Sequence, residues 1–209
     1  VRLGSLEPRI ITEEFVNALK DQEKFCPHFH LSLQSGCDAT LKRMNRRYTA
    51  EEYYEKCVLL RENFDHPALT TDVIVGFPGE TEEEFAETVA FLKKVAFYET
   101  HIFKYSRRKG TKAAVMENQI PEELKTKRSD ILLKLDKEHR KEYEAVLVGT
   151  EQEVLFEEEV TIDRKDWFVG HTKEYVKIAV PAEENLANQL QMVKVSAERA
   201  GDLLAGEVR

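Results

Sequence analysis

Cysteine is scarce in this sequence, and the three present, Cys26, Cys37 and Cys57, are widely scattered. Their spacing fits neither a disulfide framework nor a close-set metal or cluster motif. Reduced, part-buried thiols in a cytoplasmic protein are therefore expected, and no residue set is assigned to a metal. Long apolar runs are also missing, so no segment is expected to cross a membrane as a helix. No charged-then-apolar leader opens the chain, which begins at Val1 rather than at methionine and reads as a fragment. Positive charge is in short supply: 31 Lys and Arg face 39 Asp and Glu, for a net charge of −8. That balance argues against wholesale attraction to nucleic acid. The deficit is concentrated in residues 150–209, where 13 acidic residues face 7 basic ones. Any nucleic-acid contact must come from local basic patches.

What is present is a regular alternation. Val1 to Leu6 reads as a short strand, and Thr12 as the cap of a helix reaching about Glu23. Phe29 to Leu33 forms the next strand. Asp38 is expected to cap a short helix, and Thr49 with Glu52 forms a capping box for a helix to about Asn63. Leu69 to Phe77 is the third strand; its run Val73-Ile74-Val75 suits a strand covered on both faces. Thr81 and Glu84 repeat the capping box, Glu99 to Tyr105 is the fourth strand, and Pro121 opens a long charged helix to about Val148. Strands alternating with helices imply right-handed crossovers and a parallel sheet. Beyond Gly149 the pattern changes to short alternating runs at Val154–Phe156, Trp167–Gly170, Tyr175–Val180, Leu190–Val195 and Leu203–Val208. The expectation is an α/β domain over residues 1–149, a partial parallel (β/α) barrel of four units, followed over residues 150–209 by a small five-stranded antiparallel β-barrel.

The strand ends carry the candidate chemistry. Gly4 to Pro8, Gln34-Ser35-Gly36, Gly76 to Glu80 and Tyr105-Ser106-Arg107 would line one mouth of a parallel sheet, where polar groups converge on a ligand. Wet loops alone would also put polar residues there. Arg46, after the second strand, could hold a carboxylate by a two-point contact, or simply face water. His101 to Lys112 interleaves basic and aromatic residues in a way that suits a phosphate backbone and an unstacked base. His171, Lys173, Tyr175 and Lys177 would share one face of a strand and offer a similar surface.

Four of these segments, in order, carry a specific resemblance. GSLEP (Gly4–Pro8), HLSLQSGCDATLKRMNRRYT (His30–Thr49), TTDVIVGFPGET (Thr70–Thr81) and KYSRRKGTKAA (Lys104–Ala114) closely resemble the radical S-adenosylmethionine methylthiotransferases. The terminal β domain is similar to that family's TRAM domain. Ser5 to Pro8, Ser32 and Arg107 to Gly110 look most like the MtaB type, which converts N6-threonylcarbamoyladenosine at tRNA position 37 to its 2-methylthio derivative; the isopentenyladenosine enzymes usually have proline where Ser32 and Lys109 stand. The resemblance implies S-adenosylmethionine and two [4Fe–4S] clusters in the parent enzyme, because an aromatic C–H is inert to side-chain acids and bases.

The chain departs from that family in having no CxxxCxxC. The expected picture is the last four of six barrel strands plus TRAM, without the cluster domain and the first two strands. Such a fragment should bind no cluster, have no catalytic residue of its own and be inactive alone. Its first strand would be an open edge inviting self-association. Carried over by position, Ser5, Glu7, Gln34 and Ser35 would line the mouth, Arg46 would hold the methionine carboxylate, and Asp72, Gly76 and Phe77 would shape the adenosine side. Lys104, Arg107, Arg108, Lys173, Tyr175 and Lys177 would approach tRNA. Two alternatives stay open: a methylthiotransferase acting on isopentenyladenosine, and, for the fragment, a non-catalytic RNA-binding module. An aldolase- or isomerase-like barrel using Gly76 to Glu80 as an anion loop lacks a persuasive lysine or carboxylate pair.

Overall fold

The computed structural model describes residues 1–209, which divide into two compact units: Val1–Phe25 with Phe29–Arg140, and Cys26–His28 with Lys141–Arg209. The first unit is organised on a sheet of β1 (His28–His30), β2 (Ala68–Val75) and β3 (Glu99–Lys104), in that order. Between and after these strands come α1 (Glu13–Lys20), α2 (Asp38–Arg43), α3 (Ala50–Asn63), α4 (Glu82–Val95) and α5 (Glu122–Ala145). β2 and β3 run parallel, with Asp72 opposite His101 and Val75 opposite Lys104. Pairing with β2 continues past the end of β1, because Leu31 N–H donates to Thr70 O (2.9 Å), Gln34 N–H to Asp72 O (2.8 Å) and Ile74 N–H to Gln34 O (2.9 Å).

The expected first strand is not one. Only Leu6 pairs, through a single parallel bridge to Leu31, so the four expected units reduce to three strands and one bridging residue. The cause is burial: Val1 is 78% exposed, Gly4 has no neighbour within contact distance of its α-carbon's open side, and only the side chains of Leu3 and Leu6 reach the core. A stretch with so little apolar surface to cover gains little from extended pairing.

One face of the sheet is packed. Phe29, Leu31, Leu33, Leu69, Val73 and Val75 meet Val16, Leu41, Tyr53, Cys57, Leu60, Phe85, Phe91 and Leu92 in one core. Ala68 and Thr70 on the other face are buried, while Asp72 and Ile74 farther along that face are half-buried, so β2 is covered on both faces over its first half and on one face at its end.

The helix starts follow local chemistry closely. Thr12 accepts from Phe15 N–H, and both predicted capping boxes form at Thr49/Glu52 and Thr81/Glu84. Asp38 is the exception. α2 begins on it with Cys37 at the cap, and its carboxylate instead accepts from Ala50 N–H at 2.7 Å, tying α2 to the start of α3. A Thr81→Ala substitution should lower stability by about 1 kcal/mol, read as a shift in the urea midpoint at unchanged slope. A shift of essentially zero would mean the cap does not matter here.

The second unit holds a closed barrel of β4 (Glu151–Ile162), β5 (Lys165–His171), β6 (Lys177–Pro181), β7 (Leu190–Ala200) and β8 (Leu203–Val208), ordered β4-β5-β6-β8-β7. Val154, Phe156, Phe168, Ile178, Val180, Val193, Val195 and Leu204 are buried. The barrel is mixed rather than wholly antiparallel: β6 and β8 pair in parallel, Ile178 opposite Leu204. A closed ring with an odd number of strands cannot alternate direction all the way round, so one parallel pair is unavoidable. The strand expected at Tyr175–Val180 begins only at Lys177; Lys173 to Tyr175 form the turn of a hairpin, with Tyr175 at φ +73°. The turn closes through Thr172 N–H to Val176 O (3.0 Å) and Tyr175 N–H to Thr172 O (3.1 Å).

Candidate functional site

β2 hands the chain to a turn whose shape is fixed from below. Gly76 (φ +72°) and Gly79 (φ +79°) take left-handed backbone, and a Cβ on Gly76 would collide with the stem of Lys125. Glu80 folds back so that its carboxylate accepts Gly76 N–H at 2.7 Å. Arg128, from α5, donates through Nη1 to that carboxylate (2.7 Å) and to Glu80 O (3.1 Å), and through Nη2 to Glu82 (3.0 Å). The side chains of Arg128 and Glu80 are each 2% exposed. Burial pushes the Glu80 carboxyl upward, against the opposing pull of Gly76 N–H and Arg128. Phe77 meets Tyr105 edge-on at 5.3 Å, and Lys125 Nζ donates to Tyr105 O at 2.9 Å. The ends of β2 and β3 are thus held together by α5.

The neighbouring strand end is equally tied. Gln34 is buried with φ +74°, an uncommon conformation for a side-chain-bearing residue and one that clusters at functional positions. Ser35 turns inward: its hydroxyl lies 3.1 Å from Thr88 Oγ1 and accepts Cys37 N–H at 3.2 Å. Gly36 lets this loop press on α4, since a Cβ there would sit 2.6 Å from Phe91 Cβ. Tyr48 O–H donates to Ser32 O (2.7 Å) and Tyr53 O–H to Leu31 O (2.9 Å); burial pushes the Tyr48 phenol up to about 12. Arg46 is exposed beyond α2, while Arg43 is the residue bound to Glu84 and Thr40. Ser5 and Glu7 are exposed on either side of Leu6.

The basic residues separate by role. Lys104 pairs with Glu122 at 2.6 Å, and Arg107 Nε donates to Ala114 O at 2.6 Å, which shapes its own loop. Arg108 is exposed, and its carbonyl accepts Thr111 O–H at 2.8 Å. In the barrel the hairpin stacks the Tyr175 ring on His171 at 4.1 Å and 14°, with Lys177 opposite His171 in register. Lys173 pairs with Glu153 at 3.3 Å. These four residues are gathered by a hairpin turn rather than by alternation along one strand.

One cluster was not legible beforehand. His30, Asp72 and His101 project from three adjacent strands, and their ligand atoms lie within 4.8 Å of one another. The sequence marks Asp72 as a site residue and His101 only as the start of a basic and aromatic segment. Two of the three thiols, by contrast, do not suit a cluster: Cys37 and Cys57 are buried, burial pushes Cys57 up to about 12, and Cys37 is also raised. Such thiols are held as thiols rather than as the thiolates a cluster needs.

Residues 4–92 match the Radical SAM superfamily. Over 93% of its length the chain is 39% identical to the threonylcarbamoyladenosine tRNA methylthiotransferase MtaB of Bacillus subtilis, covering 44% of that protein. It is 38% identical over its whole length to the tRNA-2-methylthio-N(6)-dimethylallyladenosine synthase of Acetivibrio thermocellus, covering 43% of it. Against MtaB of Thermotoga maritima the identity is 40% over 85% of this chain and 40% of the relative. These homologues are tRNA methylthiotransferases, and the chain spans less than half of their length. Among solved structures, coproporphyrinogen III oxidase (HemN) from Escherichia coli shares the fold, with a TM-score of 0.54 over 65% of this chain and 31% of that one, at 19% identity. No helix is long and apolar enough to cross a membrane.

Proposed function

We propose that this chain is the substrate-facing part of a radical S-adenosylmethionine methylthiotransferase that converts N6-threonylcarbamoyladenosine at tRNA position 37 to its 2-methylthio derivative. The observation that carries the proposal is the match of residues 4–92 to the Radical SAM superfamily within a chain 38–40% identical to tRNA methylthiotransferases. The [4Fe–4S] clusters would supply the radical chemistry and the sulfur; the buried thiols here do not fit them, so the cluster ligands lie elsewhere in the parent enzyme. The chain alone is inactive, and incubation with iron and sulfide should leave it without a stoichiometric cluster absorption.

What these residues do is bind and orient. Ser5, Glu7, Gln34 and Ser35 line the S-adenosylmethionine and substrate mouth, and Asp72, Gly76 and Phe77, at the tied end of β2, shape its adenosine side. Arg46, exposed beyond α2, takes the methionine carboxylate. The closed barrel acts as a TRAM domain: Lys173, Tyr175 and Lys177, with Lys104, Arg107 and Arg108 of the first unit, meet tRNA.

The dimethylallyladenosine synthases match equally well, so substrate choice rests on particular positions. Ser32 N–H donates to Leu6 O at 3.1 Å, and Leu6 N–H donates to His30 O at 2.8 Å. The proline usual at Ser32 in the isopentenyladenosine enzymes has no N–H and would release one of these two bonds, changing how the Gly4–Pro8 segment lies at the mouth. Binding to tRNA should weaken with salt, with a log–log slope of roughly −3 to −5 for about five phosphate contacts. Fluorescence anisotropy with unmodified tRNA measures it; binding that is absent or insensitive to salt would remove the tRNA-facing assignment.

A further inference from the structure

We propose that His30, Asp72 and His101 form a divalent transition-metal site on the half-covered face of the parallel sheet, taking a cation of the Zn2+ type. The three residues come from three different strands, and β2 and β3 set Asp72 directly opposite His101. Donors fixed on adjacent strands of one sheet are positioned more precisely than donors on loops. His30 Nε2 lies 3.3 Å from Asp72 Oδ2, and the His101 ring stacks on His30 at 5.6 Å and 29°.

The outer partner is also in place. His30 Nδ1 is 3.0 Å from Thr70 Oγ1, two residues before Asp72 on the same strand. The Thr70 hydroxyl can accept Nδ1–H, and in that tautomer the Nε2 lone pair faces the Asp72 carboxylate oxygen and is available to a cation held between the two; without a cation, Nε2–H can donate to Asp72 instead. A metal-ligating histidine ordinarily has its second nitrogen held in this way. His30 and Asp72 are half-buried and His101 is exposed, so the cluster is open to an ion from solution.

The donor set defines the occupant. Two imidazoles and one carboxylate suit Zn2+ or Co2+, whereas Ca2+ and Mg2+ prefer all-oxygen sites and iron–sulfur clusters need thiolates. Ligand atoms around tetrahedral zinc stand about 3.3 Å apart, given Zn–N and Zn–O bonds of about 2.0–2.1 Å. The His30–Asp72 pair already meets this, and His101, exposed and with its ligand atom within 4.8 Å of the other two, would move inward to close the third edge. Three protein ligands leave a fourth position for water or a substrate group. Asp72 is shared with the proposed S-adenosylmethionine pocket, but metal binding is read directly and needs no tRNA modification.

Isothermal titration of the 209-residue chain with ZnCl2, together with the visible absorption of a Co2+ complex, tests the proposal. One saturable equivalent is expected, with Co2+ ligand-field bands and no thiolate charge-transfer band. His101→Ala and Asp72→Asn should each weaken binding at least tenfold, and Thr70→Val about tenfold with all three ligands still present. His171→Ala, on the barrel, should leave binding unchanged. Since His101 is exposed, its variant should fold as the parent does, which far-UV circular dichroism checks. No saturable binding, a thiolate band, or full binding in the folded His101→Ala variant would overturn the site.

Discussion

An Arg128→Met variant should lose about 3–5 kcal/mol of stability, because it leaves the Glu80 carboxylate buried without its cation. Arg128 supplies the only charged partner of that carboxylate among its hydrogen bonds, the other being Gly76 N–H. Glu80 is already raised by burial, and removing Arg128 raises it further. A carboxyl raised in the folded state binds protons there more readily than in the unfolded chain, so stability falls as pH rises through the interval between the ordinary and the raised value. The variant's deficit is therefore largest at neutral pH and shrinks on acidification. Urea unfolding at pH 7 and pH 5 measures both points. An equal deficit at the two pH values would show that the loss comes from packing, not from the stranded charge. An Arg128→Met, Glu80→Gln double variant should recover part of the loss, since a neutral amide can still accept Gly76 N–H.

The second large effect is on RNA binding. Tyr175→Ala should weaken tRNA affinity by about 10-fold, the order expected when one stacked base loses its aromatic platform at 1–3 kcal/mol. Tyr175 sits on a hairpin turn 39% exposed, stacked on His171 and flanked by Lys173 and Lys177. Tyr175→Phe should retain most of the affinity, because stacking needs the ring rather than the hydroxyl. The lysine variants, by contrast, should reduce the salt slope by about one each. Unchanged affinity in a folded Tyr175→Ala variant would place the RNA surface elsewhere on the barrel.

The legible parts of this fold were those encoded within one turn of chain. Thr49 with Glu52 and Thr81 with Glu84 announce helices because each box is satisfied by residues three apart. The strand-ending glycines announce a turn for the same local reason. Asp38 carries the same signal, yet its carboxylate serves Ala50 N–H twelve residues on, a competition no local pattern reveals. The sequence shows α5 only as a long charged helix, yet Arg128 is buried against Glu80 and Asp136 accepts Thr100 N–H at 2.6 Å, satisfying the edge of β3. Those partners are 48 and 36 residues away. The His30, Asp72 and His101 cluster was hidden likewise, since it exists only once three strands are in register. The parallel pair in the barrel follows from closure of five strands, a property of the ring and of no single strand.

The most direct test of the proposed function is nucleoside mass spectrometry of tRNA from cells that lack their own methylthiotransferases and express the full-length protein carrying this chain. The account predicts the 2-methylthio derivative of N6-threonylcarbamoyladenosine, lost in an Arg46→Ala variant through weakened S-adenosylmethionine binding. A methylthio group found on isopentenyladenosine instead would contradict the substrate assignment, and no methylthiolated nucleoside at all would contradict the function itself.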